Sequence, residues 1–278
     1  MDRREFIKRT LAMAGIGTVG QFVTSPVAIG KEGGLDAHGR PAGLEPIRGY
    51  VPDFAPVREG PADQEHYVLK YDILHWRGGR QDVPRNGVVG SLRIERDGRG
   101  NNVHYNVHQN VGFGGVQNVL EGGIVCASDA NETLNRWDLH TFTHDRTGNK
   151  MPLSDLQEKG SNRSGHVHVD GPNFSYEYQT ERALVSQWTI LHRFVRGLNE
   201  DGRQEFDVLH DLSMLKPRQQ LSLVGPIKAI VKDGREMEFD TYLQTGEGTL
   251  PTHYVVDEEG RPHFVTVAML SWALSDIA

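Results

Sequence analysis

Asn101-Asn-Val-His-Tyr-Asn-Val-His-Gln-Asn-Val111 is the stretch whose reading decides the fold. Side chains on a β-strand point alternately to opposite faces, so Val103, Tyr105, Val107 and Val111 share one face. His104, Asn106, His108 and Asn110 line the other. One face demands a hydrophobic core, and the other offers hydrogen-bonding and metal-binding groups. The β-branched Val103, Val107 and Val111 favour strand over helix.

Working outward, the same period recurs. Tyr67, Leu69, Tyr71 and Ile73 alternate from His66 to Trp76, and Val88, Leu92 and Ile94 alternate from Val88 to Arg96. Asp97-Gly98 then turns the chain into the organising strand, and Gly112 to Gly115 ends it. Gly123–Ala127, Trp137–His144 and His166–Asp170 read as short strands, followed by an aromatic alternation of Phe174, Tyr176 and Tyr178. Between Thr180 and Gly197, Leu184, Val185, Trp188, Leu191 and Val195 recur at helical spacing, with Thr180 as N-cap and Gly197 as stop. Phe206–Leu215 reads as a short helix or turn stopped by Pro217. Asp233-Gly234 joins a hairpin of Ile227–Lys232 with Arg235–Leu243, and Glu258–Arg261 joins Thr252–Asp257 to Pro262–Leu270. The expectation is a mainly β (α+β) protein: an antiparallel, strongly curved sheet or open barrel of hairpins packed around one amphipathic helix.

Composition narrows the class. The 278 residues are 24% charged and 37% hydrophobic, ordinary for a globular protein. Of the formal net charge of −7, residues 1–30 contribute four basic and two acidic side chains, leaving −9 on the rest. Such a chain repels phosphate, which excludes nucleic acid and anionic membrane surfaces as expected partners. Cys126 is the only cysteine, so no intrachain disulfide or thiolate metal cluster can form. Its apolar neighbours in Gly-Gly-Ile-Val-Cys-Ala predict a buried thiol. Trp76, Trp137, Trp188 and Trp272 are expected in the core.

The N-terminus, Met1-Asp-Arg-Arg-Glu-Phe-Ile-Lys-Arg-Thr10, precedes an apolar, Gly-rich run from Leu11 to about Val23. It resembles a twin-arginine signal peptide, with the pair Arg3-Arg4, a spacer, Phe6, Ile7 and Lys8; Asp2 stands where that family has Ser or Thr. The resemblance implies a bacterial-type protein that the twin-arginine machinery exports folded to the periplasm, with cleavage near Ala28 and Gly30 and no membrane span remaining. Three segments follow: residues 1–30 as signal, a Gly/Pro-rich arm or linker at 31–65 that lacks any sustained period, and a single β-rich domain at 66–278.

The order of elements, with the run Gln244-Thr-Gly-Glu-Gly-Thr-Leu-Pro-Thr-His-Tyr-Val-Val-Asp-Glu-Glu-Gly-Arg-Pro262, resembles exported proteins with a curved sheet around a helix, such as the lipoprotein-carrier-like and lipocalin-like families. That resemblance lies at the level of fold and does not fix function. Gly160, five residues, then His166-Val-His168 also matches the opening of the cupin metal motif, but the glutamate expected soon afterwards is missing, as is the second motif.

Histidines are the leading candidates for chemistry. On a strand, residues four apart are roughly 13 Å apart, so neither His104 with His108 nor His140 with His144 can share a metal. His166 and His168, two apart and roughly 6–7 Å at the backbone, can reach one divalent ion if neighbouring strands add ligands. His104, Asn106, His108, His140 and His144 suit hydrogen bonding to a small-molecule or glycan ligand. The primary expectation is an exported protein binding a small or extended, sugar- or lipid-like ligand on a concave His/Asn-lined face. A metal-dependent enzyme acting on carbohydrate and a structural envelope protein are the alternatives. Phosphate-binding Gly-rich loops, G-x-S-x-G elbows and H-E-x-x-H helices do not occur.

Overall fold

The computed structural model describes residues 43–75, 87–197, 203–267 and 270–278. Arg3, Arg4, Ala28, Gly30 and Trp76 lie outside them. Among the described residues the chain forms one large, open, curved sheet of fifteen strands with one short α-helix.

Eight strands come first: β1 (His66–His75), β2 (Gly87–Asp97), β3 (Asn102–Phe113), β4 (Val116–Ala127), β5 (Leu134–His144), β6 (Leu156–Arg163), β7 (His166–Gly171) and β8 (Phe174–Gln179). A two-residue β9 (Leu184–Val185) and helix α1 (Leu191–Val195) follow. The chain ends in β10 (Arg203–His210), β11 (Met214–Ile230), β12 (Glu236–Thr245), β13 (Thr252–Val256), β14 (Pro262–Val267) and β15 (Leu270–Ile277). Two antiparallel meanders, β1–β8 and β10–β15, join where the first and last of these strands pair, with Ile73 opposite Trp272. Consecutive strands need only tight turns, which is why the sheet follows sequence order on each side of that seam. Among the described residues only β9, beside β10, is parallel to its neighbour.

The inner face carries the larger core. Tyr67, Leu69, Tyr71, Leu92, Ile94, Val103, Tyr105, Val107, Ile124 and Trp137 from the first meander meet Trp188, Leu191 and Phe194 and the inward residues of the second. Cys126 is buried there, and burial pushes its thiol well up. Trp137 and Trp188 are fully enclosed, while Trp272 is half-buried. Trp137 Nε1 donates to Leu212 O at 2.8 Å, so the indole fixes the β10–β11 turn as well as filling space.

The helix is shorter than the periodicity predicts. Leu184 and Val185 form β9, opposite Asp207 and Val208, instead of a first helical turn. The turn begins at Ser186, whose Oγ accepts from the backbone N–H of Thr189 at 3.1 Å while its own N–H donates to Thr189 Oγ1 at 3.0 Å. Thr180, the expected cap, instead bonds Gly165 O. The stop is where the sequence places it: Gly197 has φ +81°, open to glycine without strain. Residues 206–215 are neither helix nor isolated turn but the β10–β11 hairpin, with Asp211 and Leu212 at positive φ. Pro217 does not end an element; it sits where the register slips between Phe206 and Val208, a bulge that needs no ladder N–H.

The outer face differs between the meanders. Over the second, residues 44–54 lie as a strap of two 3₁₀ turns, Glu45–Ile47 and Val51–Asp53. Leu44, Ile47, Val51 and Phe54 are buried against Leu74, Ile227, Phe239, Val255, Phe264 and Ala273 in a second core. Lys232 N donates to Phe54 O at 3.0 Å and Thr266 Oγ1 to Gly43 O at 2.8 Å. In the first meander the strap reaches Leu74 of β1; none of β3–β7 contributes to that second core, and their outward side chains are mostly polar.

Candidate functional site

Strand register arranges those polar side chains in three rows. One runs His104, Val125, Arg136, Ser161, His168 and Glu177 across β3–β8. The next runs Asn106, Gly123, Asp138, Lys159 and Asp170. The third runs His108, Glu121, His140 and Gln157. Gly123 has no side chain, so the middle row dips, and a groove of about 760 Å³ opens there, bordered by His104, Asn106, Arg136, His140, Lys159 and His168. A Cβ on Gly123 would stand 2.8 Å from Asp138 Oδ1, so Asp138 leans over the glycine. Five strands at about 4.8 Å spacing give the trough a length of roughly 20 Å.

Imidazoles and carboxylates alternate along its flank. His108 Nδ1 is 3.8 Å from Glu121 Oε1, and His140 Nδ1 is 3.4 Å from Glu121 Oε2. His140 Nε2 reaches Asp155 Oδ1 at 2.6 Å, and Lys150 Nζ donates to Asp155 Oδ2 at 2.5 Å. Those two hydrogen bonds hold the Asp155 carboxyl below the usual carboxylate range. His168 Nε2 pairs with Asp170 Oδ2 at 2.7 Å, and this bond, with one from Ser175, lowers the Asp170 carboxyl. At the end of the groove Phe142 lies between His140, tilted against it at 4.9 Å, and His144, edge-on to it at 5.2 Å, with Lys150 Nζ 4.6 Å from the Phe142 ring.

The candidate ligand-binding residues are therefore distributed unevenly. His104, Asn106 and His140 border the groove; His108 flanks it through Glu121, and His144 lies past its end beside Phe142. His168 borders the groove, while His166, exposed opposite Gln179, does not. Among the described residues no group of three or more His, Cys, Asp or Glu side chains converges to hold a metal. The histidines of β3, β5 and β7 are each separated by an intervening strand, roughly 10 Å at the backbone. Arg136, Lys159 and Gly123 are the members that histidine spacing did not point to. Alternation with His140 was the available signal for Arg136, whereas β6, Leu-Gln-Glu-Lys-Gly-Ser-Asn-Arg, has no hydrophobic period to mark it as a strand.

A second polar cluster is sealed inside the core. Arg96 Nε and Nη2 donate to Glu132 Oε1 at 3.1 and 2.7 Å, and Tyr105 OH donates to Glu132 Oε2. Tyr67 OH and His192 Nδ1 are 2.6 Å apart, and His192 Nε2 lies 3.1 Å from Glu132 Oε1 without hydrogen-bond geometry. Burial, then the Arg96 and Arg196 guanidinium charges, pushes His192 down to about 3, so its ring is neutral. Glu132 holds φ +50°, a left-handed conformation kept in place by these partners. All five side chains are buried, so the cluster ties β1, β2, β3, the β4–β5 loop and α1 together without offering a surface to a substrate.

Comparison with protein-family models, curated proteins and solved structures finds no match for this chain. Its function has to be read from the groove itself.

Proposed function

We propose that this protein binds a polar, hydroxyl-rich ligand of the sugar class, small or extended, in the outer trough of β3–β7. The observation that carries this reading is the glycine-floored groove crossing five strands, edged by amide, imidazole, carboxylate and cationic groups. Its volume suits a ligand of several rings, and convergent polar groups are what orient such a ligand. A lipid-like occupant is disfavoured because the outward side chains around the floor are polar apart from Val125, and the larger apolar ones belong to the core. Filling the trough tests the reading. Gly123→Phe should abolish binding on an oligosaccharide array while urea unfolding stays cooperative. Undiminished binding by that variant would rule the trough out.

We also propose that the chain is exported by the twin-arginine machinery, on the strength of Arg3-Arg4 and the apolar run behind them. No helix among the described residues is long and apolar enough to cross a membrane. Replacing Arg3 and Arg4 with lysine should leave the protein in the cytoplasm, read by cell fractionation; unchanged export would refute this route.

A further inference from the structure

Resting on the sugar-binding reading, we infer that the trough selects acidic glycans, with Arg136 and Lys159 receiving the carboxylate of a uronate residue. Both cations border the groove, and neither has a hydrogen-bond or ion-pair partner among the described residues. This is notable in a chain whose residues 31–278 carry −9, where most other cations in this face are spoken for: Lys150 holds Asp155, and Arg146 bonds Gly114 O. Unpaired cations in a concave site are the recognition element for an anion, and a guanidinium offers two parallel N–H donors to a carboxylate.

Register places the pair next to each other. Arg136 is opposite Ser161 and Asp138 is opposite Lys159, so Arg136 and Lys159 are diagonal neighbours on adjacent strands, roughly 6–8 Å apart at the backbone. That span matches one carboxylate reached from two sides. Two of the carboxylates nearby are engaged elsewhere. Asp170 is engaged by His168, and Glu121 lies between His108 and His140. Asp138 has no hydrogen-bond or ion-pair partner among the described residues and leans over Gly123, where it can accept hydrogen bonds from a vicinal diol of the same ring. Asn106 and Ser161 add neutral donors and acceptors on either side. A uronic acid carries one acid group and adjacent hydroxyls on a single ring.

The test is calorimetric titration of the full chain with trimers of galacturonate, glucuronate and mannuronate, with their methyl esters, and with acetate. At least one trimer should bind at least tenfold more tightly than its own ester at low ionic strength, and the difference should shrink with added salt. Arg136→Gln combined with Lys159→Gln should remove that preference, bringing acid and ester to equal affinity; a preference that survives the double substitution would overturn the assignment of the carboxylate to these two side chains. Equal affinity for acid and ester would overturn the acidic-glycan inference and leave the sugar-binding reading standing. Binding of neither would overturn both. Acetate binding as tight as the trimers would mark a simple anion site and overturn the glycan part.

Discussion

On β13 and β14 the outward side chains Val255 and Phe264 lie under the strap, whereas on β3 and β5 the outward His104, Asn106, Asp138 and Arg136 stand in solvent. Both sets belong to one sheet, follow the same alternation and back onto the same inner core. The difference lies in what occupies the second face. Apolar outward residues in the second meander require a cover, and the chain's own residues 44–54 supply it. Polar outward residues in the first meander need none, so that face is left available to a ligand. Clamps hold the cover: Arg261 Nε and His263 Nε2 both bond Asp257 Oδ2, at 2.6 and 2.7 Å, and Arg261 Nη1 reaches back to Arg58 O. The His263 ring stands edge-on to Phe54 at 5.7 Å.

Removing the strap is the most severe way to break this contrast. Deleting residues 43–58 uncovers four buried apolar side chains worth about 1.5–3 kcal/mol each, against a whole-domain stability of about 5–15 kcal/mol. The expected result is loss of cooperative unfolding or aggregation, read by circular dichroism and light scattering. A soluble, cooperatively folded product would show that the second outer face does not depend on its cover.

The shared inner core should be nearly as sensitive. Trp188→Ala should cost about 3–5 kcal/mol in urea unfolding, since the indole is wholly enclosed. A loss below about 1 kcal/mol would mean that the turn leading into α1 does not join the meanders.

Acid should act on the inner network first. His192 takes up its proton only near pH 3 in the folded chain but near 6.5 when unfolded, so the unfolded state binds more protons between these values. Stability therefore falls as pH drops through that window, by up to about 1.4 kcal/mol per pH unit from this group. His192→Gln should flatten that part of the profile. An unchanged slope would place the acid sensitivity elsewhere.

The smallest stability effect belongs to the open face. His140→Ala should change unfolding by less than about 0.5 kcal/mol, because its partners are exposed carboxylates. A cost comparable with Trp188→Ala would make this face structural and erase its distinction from the covered one.

Much of this fold was legible because half-buried antiparallel strands write their two faces into alternate residues. Val103, Tyr105 and Val107 against His104, Asn106 and His108 is that pattern, and Asp233-Gly234 marked a hairpin. The doubly covered strands also left a trace: Tyr254-Val-Val256 and Phe264-Val265 are continuous apolar runs because both faces are buried. Less legible were β6, whose outward and inward residues are both polar or small, and β9, whose Leu184 and Val185 fit a helical stripe as well as a buried bridge. There tertiary pairing with Asp207 and Val208 outweighed local periodicity.

By itself the sequence determined the β class, the polar face of β3, the buried setting of Cys126, the Asp233-Gly234 turn and the stop at Gly197, since these follow from side-chain period and backbone preference within a few residues. Only the tertiary structure decided which rows form, because register between strands depends on turns and bulges distributed along the whole chain. It set Arg136 beside Lys159, placed Gly123 at the floor, left His166 outside the groove and drew Glu132, Arg96 and His192 into one buried cluster from positions far apart in sequence.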